Sequence, residues 1–132
     1  MRTLNVFKSL LFVVLLFTLS GCLEKEIYTE ITDKKVISHP PTSLEIEAPD
    51  GMLKTNFKTD PSSPIKLAVY IHRAKCTNAQ SKSLGSDFDG YIRLTLSDHN
   101  RTIARAQMDY KGEATNDEVQ QVYDHLIQQL HW

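Results

Sequence analysis

Cysteine, proline, glycine and tryptophan are all scarce: two Cys, five Pro, five Gly and one Trp in 132 residues. Two cysteines cannot staple a small secreted fold, so a disulfide-dense miniprotein is excluded. The low proline and glycine content, with 41% hydrophobic side chains, excludes a wholly disordered chain. Only one long apolar run occurs, which excludes a polytopic membrane protein, and the length holds one domain at most. There is no phosphate loop, no Gly-x-Ser-x-Gly, no dinucleotide fingerprint, no internal repeat and no heptad run. Charge of one sign is lacking too. The formal net charge is -1, which gives no support to nucleic-acid binding.

What is present begins at the N-terminus. Arg2 and Lys8 precede the apolar run at residues 10–17, and Thr18-Leu19-Ser20-Gly21-Cys22 comes next. A positive end, an apolar stretch and then small residues is the layout of a secretory signal peptide. The cations stay on the cytoplasmic side while the apolar segment enters the bilayer. The run is shorter than the roughly 20 residues a spanning helix needs.

Leu19-Ser20-Gly21-Cys22 resembles the lipobox of bacterial lipoproteins. The small Ser20 and Gly21 allow a peptidase close to the backbone, and Cys22 offers the soft nucleophile that takes a diacylglyceryl group as a thioether. The resemblance covers about the first sixth of the chain. It implies cleavage between Gly21 and Cys22, lipid on the Cys22 sulfur, and an acyl chain such as palmitate on its new amine. Each buried methylene adds about 0.8 kcal/mol, so two or three chains make a stable anchor. In that family the residue after the cysteine influences sorting. Leu23 stands there instead of the Asp that commonly retains lipoproteins at the inner membrane, which implies the outer membrane; the periplasmic face is the expected side.

Cleavage removes residues 1–21, and with them Arg2 and Lys8 and no acid. That leaves 13 basic side chains against all 16 acidic ones. With Cys22 lipidated, Cys76 is the one remaining thiol and no internal disulfide can form. In an oxidising compartment such a cysteine is buried or paired with another chain; burial is the plainer reading.

The chain divides into a signal peptide at 1–21, the lipidated Cys22 with a mixed-charge tether to residue 43, and a small domain at 44–132. Inside the tether, residues 27–32 have strand character, and His39-Pro40-Pro41 is a stiff break. Leu44-Glu45-Ile46-Glu47-Ala48 alternates as a half-buried strand does, and Pro49-Asp50-Gly51 has turn chemistry. Residues 52–58 are expected to close a hairpin around that turn. Residues 65–72 form the strongest strand pattern, with Ile65, Leu67, Val69 and Ile71 on one face and Lys66, Ala68, Tyr70 and His72 on the other. Residues 73–90 are polar and small and read as a long loop, a length more often functional than incidental. Residues 91–97 and 102–111 read as a hairpin. The small Ala104 and Ala106 leave room for a helix above them. That helix starts at a capping box, Thr115 with Glu118 three residues on, and carries the apolar stripe Val119, Val122, Tyr123, Leu126, Ile127 and Leu130. The expected fold is α+β: an antiparallel sheet of four or five strands with one C-terminal amphipathic helix packed on one face.

Candidate chemistry is sparse. His72, Arg73, Lys75 and Cys76 gather a base, two cations and a thiol, the ingredients of a thiol-dependent enzyme, yet nothing in the sequence fixes an orienting carboxylate or amide. The five histidines (39, 72, 99, 125 and 131) lack metal-ligand spacing, and Asp87-Phe88-Asp89-Gly90 lacks the ligand series of a calcium loop. No metal or cofactor is expected. Lys66, Arg93 and Arg105, with His72, lie on outward strand faces and would form a basic stripe for an acidic partner, lipopolysaccharide or peptidoglycan carboxylates. From residue 65 onward the order of strand, hairpin and closing helix is similar to small domains of periplasmic assembly lipoproteins. The expectation is a non-enzymatic accessory or assembly subunit of a membrane-associated complex, held to the membrane through Cys22 and contacting an envelope protein. The alternatives are a binding module for an anionic envelope ligand and the thiol enzyme.

Overall fold

Side chains alternate across an extended backbone, so each strand that lines a core on one side must read apolar at every second position. The computed structural model describes residues 25–35, 38–74 and 88–132. In these, strands β1 (Ile27–Ile31), β2 (Ser43–Glu47), β3 (Lys58–Thr59), β4 (Ile65–Arg73), β5 (Gly90–Asp98) and β6 (Arg101–Tyr110) precede helix α1 (Asn116–Leu130). All six strands join one sheet in the order β1-β6-β5-β4-β2-β3. The α+β architecture with its C-terminal helix on one face is as the sequence reading has it. The sheet has six strands, however, where four or five were expected.

The sheet is also mixed where a purely antiparallel one was expected. β1, β6, β5 and β4 pair antiparallel, but β2 runs parallel to β4, and β3 runs parallel to β2. The hairpin expected around Pro49-Asp50-Gly51 therefore does not form. The turn itself does: the Met52 N–H donates to the Pro49 carbonyl at 3.1 Å, and Gly51 takes φ +72°, a conformation glycine adopts without penalty. The helix captures the segment beyond the turn. The Gln120 side-chain amide accepts from the Lys54 N–H at 3.0 Å and donates to the Lys54 carbonyl at 3.1 Å, replacing a strand neighbour. Thr55 Oγ1 and the Tyr123 hydroxyl bond at 2.7 Å. Met52, Leu53 and Phe57 pack against the core, and Phe57 meets Trp132 edge-on at 5.9 Å. Packing these three partly buried apolar groups against the core outweighs two-strand pairing, which is weak by itself.

The core lies between the sheet and α1. Leu44, Leu67, Ile92, Leu94, Leu96, Ala104, Ala106 and Met108 line the sheet side, and Val119, Val122, Leu126 and Leu130 the helix side, all nearly or fully buried. Ala104 and Ala106 do leave room for the helix. A bulge opposite Leu96 and Ser97 turns both Ile103 and Ala104 inward. The capping box at Thr115 and Glu118 forms as expected, with each side chain bonded to the other's backbone N–H. His131 closes the helix in the left-handed region at φ 58°. The strand expected within residues 27–32 is β1, at the sheet margin beside β6. Among the described residues, no helix is long and apolar enough to cross a membrane.

Candidate functional site

The helix covers one face of the sheet; among the described residues no element packs over the other. The register draws a row across that outer face: Tyr28 of β1, Gln107 of β6, Arg93 of β5 and Tyr70 of β4. Strands lie about 4.8 Å apart, so the row spans about 14 Å. The adjoining row holds Asp109, Tyr91 and His72.

Four of these side chains, Tyr70, His72, Tyr91 and Arg93, assemble into one stack. His72 lies on Tyr91 with ring centroids 4.9 Å apart and planes 25° apart. Tyr70 approaches Tyr91 at 6.1 Å and His72 at 6.4 Å. The Arg93 guanidinium sits over the Tyr91 ring at 4.8 Å, a cation–π contact. Its Nε and Nη2 both donate to the Gln107 Oε1, at 2.9 and 2.8 Å. A neutral amide thus fixes the guanidinium without cancelling its charge. Tyr70 remains 53% exposed and Tyr28 67%, so the aromatic surface faces solvent. Beneath the stack, the buried Tyr110 hydroxyl donates to the His72 carbonyl at 3.1 Å. Gly90, where β5 begins beside Arg73, has no side chain to push the two strands apart.

The three cations expected as a stripe share the outer face but not one environment. Lys66 is engaged by Glu47 at 2.6 Å and Glu45 at 3.6 Å, and the Glu47 bond, against some desolvation and with help from Glu45, raises its pKa above the ordinary lysine value. Its charge is already answered by two carboxylates. Arg93 is held by Gln107. Arg105 stands in register with Glu30 and Thr95, is exposed, and has no ion-pair partner among the described residues. Of these three cations, Arg93 and Arg105 are the two that no carboxylate among the described residues pairs.

His72 belongs to the aromatic stack. Cys76, the thiol read beside it in the sequence, falls outside the described residues, as do Lys75, Asp87, Cys22, where lipidation is expected, and Gly21, where cleavage is expected. Arg73 pairs with Glu113 at 3.1 Å on the surface. Among the described residues, no group of three or more metal-ligating side chains comes together.

Sequence reading missed Tyr28, Tyr91 and Gln107 as members of the site. Alternation alone puts Tyr91 and Arg93 opposite Ile92 and Leu94. Only the register shows that Tyr91 meets His72, and that Gln107 lies between Arg93 and Tyr28. Searches of protein families, curated proteins and solved structures return no match to this chain.

Proposed function

We propose that this protein is a lipid-anchored envelope lipoprotein that acts as a non-enzymatic accessory subunit, presenting its outer sheet face to a protein of a membrane-associated complex. The leader ending in Leu19-Ser20-Gly21-Cys22 supports the anchor, and Leu23 supports the outer membrane. The observation that carries the docking role is the open stack of Tyr70, His72, Tyr91 and Arg93. Tyrosine and arginine are enriched where protein interfaces concentrate their energy, because each offers a large rigid surface with hydrogen-bonding capacity. The guanidinium held by a neutral amide favours a partner surface carrying carboxylates.

Crosslinking in intact membranes, followed by capture of the tagged full chain, tests this. A stoichiometric envelope protein is expected with the parent chain. The Tyr70→Ala variant and the Arg93→Glu/Arg105→Glu variant should each lose it by about tenfold or more, the scale of one interface anchor. Unchanged capture in both variants sinks the docking role. Loss of binding to anionic envelope glycolipid or glycan with no protein captured would transfer the face to the ligand-binding alternative. Intact mass of the purified chain reads the anchor: Met1 retained, or Cys22 without lipid, ends that part of the proposal.

A further inference from the structure

The chain enters the fold almost at once after the cysteine that the lipobox marks. Lys25 follows Cys22 by three residues. An extended backbone covers at most about 3.6 Å per residue, so their Cα atoms lie no more than about 11 Å apart. Lys25 is already held, because its ammonium bonds the Glu118 carboxylate in the first turn of α1. Two residues later Ile27 opens β1, in register with Met108 of β6. A chain free from Cys22 to residue 44 would reach about 75 Å. A leash of about 11 Å gives the domain little freedom to leave the surface its anchor enters.

The leash meets one end of the sheet. β5 begins there at Gly90, opposite the last residue of β4, Arg73, and the last of β6, Tyr110. The Asp89 N–H donates to the Tyr110 carbonyl at 2.9 Å, which places Phe88 just beyond that final row. The other end, at the turn between Asp98 and Arg101, lies about 27 Å away along the nine-residue β5. Phe88 is 42% exposed and is the one wholly apolar side chain among the large exposed hydrophobics of the described residues. The Lys111 ammonium lies over its ring, 5.7 Å from the centroid. An apolar ring beside a cation on an alkyl stem suits a headgroup layer, where the ring inserts and the charge stays in water.

We infer that the domain stands on its anchoring membrane with the Phe88 end against the lipid headgroups. The inference rests on the lipid anchor proposed above. The other exposed rings, Tyr28 and Tyr70, lie on the outer face and leave it to the protein partner. Glu26, Asp109 and Glu113 share the Phe88 end, so anionic lipid does not hold it there; the leash and the ring do. The outer face is then confined as well. Tyr70, in the row of Tyr28, lies within about 30 Å of Cys22 at any tilt of the domain. A partner of that face must present its carboxylates close to the bilayer.

The test uses the full lipidated chain carrying Cys76→Ser, in phosphatidylcholine vesicles that include a lipid with a nitroxide on its headgroup. A fluorophore is placed on a single new cysteine: Glu113→Cys at the Phe88 end, Arg101→Cys at the far end, or Gln128→Cys on the exposed side of α1. The first two forfeit only surface ion pairs, which contribute little to stability. The nitroxide should quench the label at 113 and spare those at 101 and 128. Phe88→Asp should relieve the quenching at 113. So should a Gly/Ser insert of about 20 residues after Glu24, whose mean reach is about 25 Å. Native Trp132 fluorescence in each variant shows that the fold is kept. In a chain that floats with the vesicles, quenching at 101 or 128 as strong as at 113 overturns the inference alone, as does quenching at 113 that neither change relieves. A chain that carries no lipid by intact mass and does not float overturns the anchor, and the inference with it.

Discussion

A single methyl group at Gly90 measures how tightly the strands beneath the aromatic stack are closed. A Cβ there falls 2.0 Å from the His72 carbonyl oxygen, 2.6 Å from the Tyr110 hydroxyl and 2.7 Å from its Cζ. None of these can yield cheaply. The His72 oxygen belongs to the backbone of β4, and Tyr110 is 1% exposed. Glycine is required here for close approach, not for an unusual φ. Overpacking of this kind costs about 1–3 kcal/mol. Displacing Tyr110 also forfeits its bond to the His72 carbonyl, about 1 kcal/mol. Gly90→Ala should therefore lose about 2–4 kcal/mol, a fall in Tm of roughly 10–20 °C for a domain of this size. Urea unfolding of the detergent-solubilised chain, followed by Trp132, its single tryptophan, is the assay. Tyr110→Phe removes one of the three contacts and the hydrogen bond, and should cost about 1 kcal/mol by itself. Adding Gly90→Ala to it should still cost at least about 1 kcal/mol, because the contact with the His72 oxygen remains. A Gly90→Ala penalty below about 0.5 kcal/mol, or full rescue by Tyr110→Phe, would refute the close-approach argument.

Three further outcomes are expected. Burial pushes the Glu118 carboxyl up, but bonds from the Lys25 ammonium and the Thr115 N–H outweigh it and hold it below the ordinary carboxylate range. A depressed pKa stabilises the fold above the ordinary value of about 4.3, and the effect fades as pH falls through the lower folded value; Glu118→Gln should be less stable than the parent at neutral pH, with the gap closing in acid. Burial, aided by Asp124 and opposed by the Thr55 bond, raises the Tyr123 phenol above its ordinary value, so its contribution is present below about pH 10 and lost as pH rises through the folded value. Tyr123→Phe should cost about 1 kcal/mol at neutral pH through the lost Thr55 bond, and its stability should decline less steeply above about pH 10. Leu126→Ala, at a fully buried helix position, should cost about 2–5 kcal/mol in the same unfolding assay, and a smaller loss would mean that α1 is not clamped to the sheet.

The sequence by itself determined the local elements whose signals are local. The alternation in residues 65–72 and 91–97, the capping box at Thr115 and Glu118, and the stripe from Val119 to Leu130 each specify an element through neighbouring residues, and each stands close to where it was read. Ala104 and Ala106 likewise announced the helix above them. Pairing was decided only in three dimensions. Pro49-Asp50-Gly51 makes its turn, but whether the chain then pairs back on β2 depends on Gln120 and Tyr123, more than sixty residues away, which bind Lys54 and Thr55 instead. The same holds for the site. Period two puts Lys66, Tyr70, His72, Arg93 and Arg105 on the outer face, yet residue type alone gives no sign that Glu45 and Glu47 would claim Lys66, or that Gln107 would hold Arg93 over Tyr91. Those outcomes come from strand register, a long-range property fixed by the packing of the whole core, and no short stretch of sequence encodes it.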